Sequence, residues 1–126
     1  MKILLVDNDV DYTAIFTRRA LLSHHEIEVC NLASTAVGKA LSILPDVIII
    51  DLFMPSKNGF QLAVDFRNFE SLKRTKIVIS SGLDYEHATL YSNILADTYI
   101  EKTGDIGNLL RTCEDLVRGA YKSSKK

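Results

Sequence analysis

Ile3-Leu4-Leu5-Val6 is an unbroken apolar run that stops at three polar residues, Asp7-Asn8-Asp9. A run without polar alternation suits a strand covered on both faces. From Asp9 to Leu22 the period changes. Tyr12, Ile15, Phe16 and Leu22 recur at helical spacing, and an Asp at the start can cap free N–H groups. Glu28-Val29-Cys30 reads as a short strand, and Thr35 to Leu44 as a second helix with Ser34 as its cap and Pro45 just beyond its end. Val47-Ile48-Ile49-Ile50 is the clearest buried strand, four β-branched residues ending in Asp51. Turn-forming residues fill Met54 to Gly59, and Phe60, Leu62, Ala63 and Phe66 mark a third helix. Ile77-Val78-Ile79 is a fourth strand, running into Ser80-Ser81-Gly82. A short polar helix is expected over about 85–93, and a fifth strand at Tyr99-Ile100, ending in Glu101-Lys102. Ile106, Leu109, Leu110, Cys113 and Val117 outline an amphipathic last helix.

Strands alternating with helices imply an α/β fold: a parallel sheet with helices on both faces, in one domain from end to end. The 126 residues leave little room for a second domain. Hydrophobic residues make up 47% of the chain, enough to build a core, which excludes a disordered chain. Fifteen basic residues against sixteen acidic ones give a net charge of −1, and the sole basic cluster is at 122–126, so a nucleic-acid surface is not expected. No apolar stretch approaches the roughly 20 residues that cross a bilayer, and the N-terminal run has no cleavage site after it. Cys30 and Cys113 lack metal-ligand spacing and stand among apolar neighbours, as reduced core residues of a cytoplasmic protein do. His24, His25 and His87 lack ligand spacing and read as solvated.

In an open parallel sheet, sites form beyond the carboxyl ends of the strands. The polar residues at those ends are Asp7, Asn8 and Asp9, then Asp51, then Ser81, then Lys102. Gathered carboxylates need a cation, and an oxygen cluster that keeps its waters suits Mg²⁺. A hydroxyl and an ammonium can then meet the oxygens of a phosphoryl group, whose transfer asks mainly for positioning and positive charge. Asp51, after the most buried strand, is the candidate nucleophile. Taken singly, each of these residues is more often a cap, a turn former or a surface charge; their joint occurrence at successive strand ends carries the reading.

Four motifs then make the chain resemble the receiver domain of two-component response regulators, chemotaxis regulators among them. They are Leu-Leu-Val-Asp-Asn-Asp at 4–9, Asp-Leu-Phe-Met-Pro-Ser-Lys-Asn-Gly at 51–59, Ile-Ser-Ser-Gly at 79–82 and Tyr-Ile-Glu-Lys at 99–102. The resemblance implies a flavodoxin-like, doubly wound five-stranded sheet in the order 2-1-3-4-5. It implies a receiver over 1–120 with a tail at 121–126. Asp51 would be the phosphoacceptor, Lys102 would neutralise the phosphoryl charge, and Ser81, with Gly82 behind it, would be the switch hydroxyl. Ser80 is the alternative if the strand is shifted by one residue. Tyr99 would be the switch aromatic. Asp7, Asn8, Asp51 and the backbone carbonyl of Phe53 would hold Mg²⁺, with Asp9 and Leu83 bordering the site.

The family's usual pattern is broken in three places. Asn8 stands where a second acid is usual, which leaves two carboxylates and implies weaker Mg²⁺ binding. Thr103 follows Lys102 where proline is common, so a trans bond is expected there. Phe53 and Leu83 are bulky apolar neighbours of the phosphoryl position, which implies a slowly hydrolysed phospho-form. The resemblance implies a signalling phosphoacceptor rather than a conventional enzyme. Its donor would be a histidine kinase or a histidine phosphotransfer protein, and its output an effector protein, through a monomer or a phosphorylation-dependent dimer. Two alternatives remain open: a phosphorylation-independent pseudo-receiver, favoured by Asn8, and an N-terminal receiver cut from a longer regulator or hybrid kinase. A flavin or nucleotide binder of the same fold is disfavoured, because Asp7-Asn8-Asp9 would repel phosphate.

Overall fold

A computed structural model of the chain describes residues 1–82 and 95–121. Five strands form one parallel sheet: β1 (Lys2–Val6), β2 (Glu26–Cys30), β3 (Val47–Asp51), β4 (Lys76–Ser81) and β5 (Thr98–Glu101), in the order β2-β1-β3-β4-β5. Four helices are described: α1 (Val10–Leu22), α2 (Ala36–Ile43), α3 (Gly59–Arg67) and α4 (Ile106–Arg118). The expected polar helix over about 85–93 lies outside the described residues, as do Leu83 and His87.

Alternation along the central strands divides the core into two layers. Leu4, Val6, Ile48, Ile50, Ile77 and Ile79 pack with residues of α2 and α3. Ile3, Leu5, Val47, Ile49 and Val78 pack with residues of α1 and α4. Because both faces of β1, β3 and β4 are covered, these strands carry almost no polar residue until their last positions, which is the pattern parallel sheets require.

The sequence pattern misplaces several details. Phe16 is buried as expected, but Ile15 and Leu22 are 59% and 70% exposed, and the smaller Thr13 and Ala20 complete the buried stripe of α1. Ser34 does not cap the second helix. It sits inside a 3₁₀ turn, Ala33–Thr35, which feeds α2 without a side-chain cap. In α4 the buried stripe ends on Leu116, while Val117 faces out. His25 is not solvated. Its side chain is 9% exposed, its Nδ1 lies 3.1 Å from the Met1 amine and its Nε2 2.8 Å from Glu114 Oε2.

Two devices at helix ends escape pattern reading. Asn58 and Gln61 form a reciprocal capping box that starts α3 directly behind the β3 loop. Arg67 at the other end of α3 donates to the carbonyls of Leu72, Thr75 and Leu95 and to the Asp97 carboxylate. Asp97 in turn accepts from the Ile77 N–H at 2.8 Å, joining the start of β4 to the approach to β5.

Candidate functional site

The parallel sheet brings the ends of β1, β3, β4 and β5 to one edge. Asp7 directly follows β1 and is 1% exposed. Its Oδ1 accepts from the Asp9 N–H at 2.9 Å, and its Oδ2 accepts from the Lys102 ammonium at 2.7 Å. A buried carboxylate is tolerated when it is paired and hydrogen-bonded in this way. Asp51 is the last residue of β3, with its Oδ1 3.9 Å from the same ammonium. The backbone N–H groups of Leu52 and Phe53 face the Asp51 carboxylate and favour its charged form, while the Leu52 N–H is hydrogen-bonded to Ser80 O at 3.2 Å. Lys102 therefore hydrogen-bonds Asp7 and only approaches Asp51.

Gly59 fixes the loop that leaves Asp51. Its N–H donates to Leu52 O at 2.7 Å, and a Cβ at this position would stand 2.9 Å from the backbone oxygen of Asp51. The last residue of the Asp-Leu-Phe-Met-Pro motif segment is thus a glycine because the start of α3 lies against the end of β3.

The other candidates are placed as follows. Asn8 is exposed beside Asp7. Asp9 is the N-cap of α1, its Oδ1 accepting from the Tyr12 N–H at 3.0 Å. Phe53 is half-exposed, and Gly82 follows β4 on the surface, where an added Cβ would meet none of the described residues. The Lys102–Thr103 bond is trans. Ser80 and Ser81 are both buried. Ser80 pairs with Asp51 and Ile100 across the ladder, so it belongs to the α1/α4 side of the sheet. Ser81 pairs with Glu101 and shares the opposite side with Ile79 and Tyr99. Tyr99 is half-buried and packs on the α2/α3 layer. The Lys102 N–H donates to Ser81 O at 2.5 Å, which holds the end of β5 against the end of β4.

Tyr12 was legible only as a helix-face apolar residue, yet its ring lies 4.2 Å from the Lys102 ammonium. Burial, together with the charges of Asp7 and Asp51, pushes the Tyr12 hydroxyl up to about 12, so it stays protonated. A tyrosine in the first turn after an acidic strand end is the one signal that could have marked it.

Burial raises the Asp51 carboxyl above its usual 3.8; Lys102 opposes the rise, the like charge of Asp7 adds to it, and the two backbone N–H groups oppose it. An acid whose folded-state pKa is raised takes up protons on folding, so its charge costs stability above the folded pKa and nothing below the unfolded value. Asp51→Asn is therefore expected to melt higher than the wild type at pH 7, by roughly 3–6 °C. The gap should close as the pH falls through the carboxylate range, in thermal melts taken from pH 7 to 3. A gap that stays constant or widens on acidification would contradict the electrostatic cause.

Two carboxylates facing one ammonium leave an excess of negative charge that a divalent cation would relieve. Among the described residues no group of three or more His, Cys, Asp or Glu side chains could hold a metal. The donor set is instead two carboxylates with neutral oxygens, which fits a water-retaining ion such as Mg²⁺.

The fold is a doubly wound parallel sheet with an acid after β1, another at the end of β3 and a lysine after β5, all at one edge. The comparisons with known proteins make this specific. Residues 3–114 match the response regulator receiver domain, and the chain belongs to that family. It is 27% identical over 121 residues to protein PilH of Pseudomonas aeruginosa, covering 94% of this chain and 98% of PilH. It is 28% identical over 120 residues to the regulatory protein VanRB of Enterococcus faecalis, where it covers 94% of this chain but 53% of the relative. The chain thus spans nearly all of one relative and about half the length of the other. The response regulator TrrA of Thermotoga maritima, solved in complex with Mg²⁺–BeF, has the same fold, with a TM-score of 0.80 at 24% identity over 91% of this chain and 97% of that one. No helix among the described residues is long and apolar enough to cross a membrane.

Proposed function

We propose that the chain is the phosphoacceptor of a two-component phosphorelay, and that Asp51 takes a phosphoryl group from a phosphohistidine. The observation that carries this reading is the setting of Asp51 at the end of the central strand, with the Lys102 ammonium 3.9 Å away and the buried Asp7 beyond it. In the transfer the bond from phosphorus to the donor imidazole nitrogen breaks and a bond to an Asp51 carboxylate oxygen forms. The imidazole recovers its electron pair and Asp51 becomes an acyl phosphate. Lys102 then meets the phosphoryl oxygens, leaving or stretching its bond to Asp7. The Ser81 hydroxyl is the switch, and its shared sheet face with Tyr99 supports a movement that passes from one to the other.

Asp7, Asn8, Asp51 and the Phe53 carbonyl would hold Mg²⁺, which when bound supplies positive charge to the transferring oxygens. The relative solved with Mg²⁺–BeF supports that choice of ion. Asn8 brings an oxygen without a charge, so Asn8→Asp should bind Mg²⁺ about tenfold more tightly in an NMR titration. Equal affinities in the two proteins would show that Asn8 does not contribute to the site.

The donor in this reading is a histidine kinase or a phosphotransfer protein in the cytoplasm, and the receiver occupies about residues 1–120. The partner downstream is another protein, met by the face that carries Tyr99. Incubation with acetyl phosphate, or with beryllofluoride, plus Mg²⁺ tests the reading. A phosphoryl mass shift and NMR changes around residues 80–102 are expected in the wild type and absent in Asp51→Asn. No change in either protein would favour the pseudo-receiver, for which Asn8 is the supporting feature.

A further inference from the structure

Ser80 occupies a position that an α/β core normally fills with an apolar residue. It continues the row of Val78 on the α1/α4 face of β4, opposite Asp51 in the ladder. The residue is 2% exposed, and its Oγ has no hydrogen-bond partner among the described residues. A buried hydroxyl without a partner keeps the whole cost of its lost hydration, so such groups are nearly always satisfied by a protein atom or an ordered water.

Ser80 helps to line a cavity of about 10 Å³. Its other walls include Tyr12, Lys102, Gly104, Asn108 and Leu109. That volume is close to the least that holds one water molecule, about 10–15 Å³ on the same kind of measure. Its lining residues are mostly polar, Ser80, Lys102, Thr103 and Asn108 among them, which offers the two or more partners that a buried water needs.

Lys102 gives the place its meaning. Its ammonium has three protons. One is taken by Asp7 Oδ2 at 2.7 Å, and the Tyr12 ring lies 4.2 Å away on another side. Asp51 Oδ1 at 3.9 Å is beyond hydrogen-bond distance. One proton is thus left over beside a cavity to which Lys102 itself contributes.

We propose that this cavity is an internal water site, and that Ser80, through the water it anchors, is a positioning residue that holds the Lys102 ammonium on the Asp7 side of the carboxylate pair. The tandem serines then divide their work by sheet face. Ser81 serves the switch on one side, and Ser80 sets the resting place of the lysine on the other. This assignment rests on the proposed role of Lys102 at the phosphoryl group, but its test needs no phosphorylation.

The test is made on the unphosphorylated protein. A high-resolution crystal structure should show a water within hydrogen-bond distance of Ser80 Oγ. In NMR spectra that detect lysine ammonium groups, the Lys102 protons should exchange slowly and show a cross-peak to bound water. In Ser80→Ala that cross-peak should vanish and the exchange should quicken by about tenfold, the worth of one hydrogen bond. A merely structural serine would change the melting temperature and leave the ammonium signal as it was. Ser80 Oγ bonded to a backbone carbonyl with no water beside it, or the same Lys102 exchange in both proteins, would overturn the proposal. If Ser80→Ala does not fold, the wild-type crystal structure and cross-peak decide. Failure here with normal uptake of phosphate from acetyl phosphate would reject the water site alone; the reverse result would reject the phosphoacceptor reading alone.

Discussion

Lys102→Ala is expected to lose about 3–5 kcal/mol of folding stability in urea titrations at neutral pH, an effect large for a side chain that is partly exposed. The cause is what it leaves behind. Asp7 is fully buried and accepts at Oδ2 from the Lys102 ammonium, and Asp51 Oδ1 lies 3.9 Å from the same cation. Removing the ammonium leaves two carboxylates facing each other without a counter-charge. Lys102→Met, which keeps most of the side chain's length without its charge, should lose nearly as much, because the charge and not the packing is at stake. Millimolar Mg²⁺ should restore much of the loss, since a pair of carboxylates freed of its lysine is a better site for a divalent cation. Asp7→Asn combined with Lys102→Ala should also recover stability. A Lys102→Ala protein as stable as the wild type, with or without Mg²⁺, would show that the pair with Asp7 is not holding this edge together.

Gly59→Ala should be the second large effect. The added Cβ would stand 2.9 Å from Asp51 O and 3.1 Å from Leu52 Cα, both backbone atoms that cannot turn aside. Forcing a methyl into a filled space costs about 1–3 kcal/mol, and here the upper part of that range is expected. The relief must come from parting α3 from the end of β3, which moves the Asp51 carboxylate itself. Labelling by acetyl phosphate should therefore slow by roughly 10–100-fold, as a misplaced reacting group does. Gly82→Ala is the control. Its Cβ meets none of the described residues within 4 Å, so its stability should change by less than about 0.5 kcal/mol. Equal behaviour of the two variants would remove the steric explanation of Gly59.

These expectations also show what pattern reading can reach. Val47 to Ile50 declared a buried strand because no other role suits four β-branched residues in succession. Once the sheet was parallel, Asp7, Asp51 and Lys102 had to meet, since each follows an apolar run and the runs end at one edge. Facts that depend on distance rather than order stayed hidden. Tyr12 looks like any aromatic on a helix, and its place beside the Lys102 ammonium is set by how α1 leaves β1. His25 looks like a loop residue until α4 brings Glu114 to it. Ser34 resembles a cap, but the backbone turns as a 3₁₀ segment first, and the cap position passes to Thr35. For Ser80 and Ser81 the order of residues left the choice of face open; the ladder register with β5 places Ser81 on the side of Tyr99 and Ser80 on the side of Asp51.

Arg67 gives this architecture a mechanical consequence. Its guanidinium ties the end of α3 to Thr75 before β4 and to Leu95 and Asp97 before β5. The start of β4 and the approach to β5 thus belong to one braced frame, at the end of the sheet away from Asp51 and Lys102. A signal raised at the strand ends therefore cannot be absorbed by β5 drifting away from its neighbour. β4 and β5 are clamped together at their starts, so a displacement at the Asp51 edge pivots about that clamp instead of separating the strands.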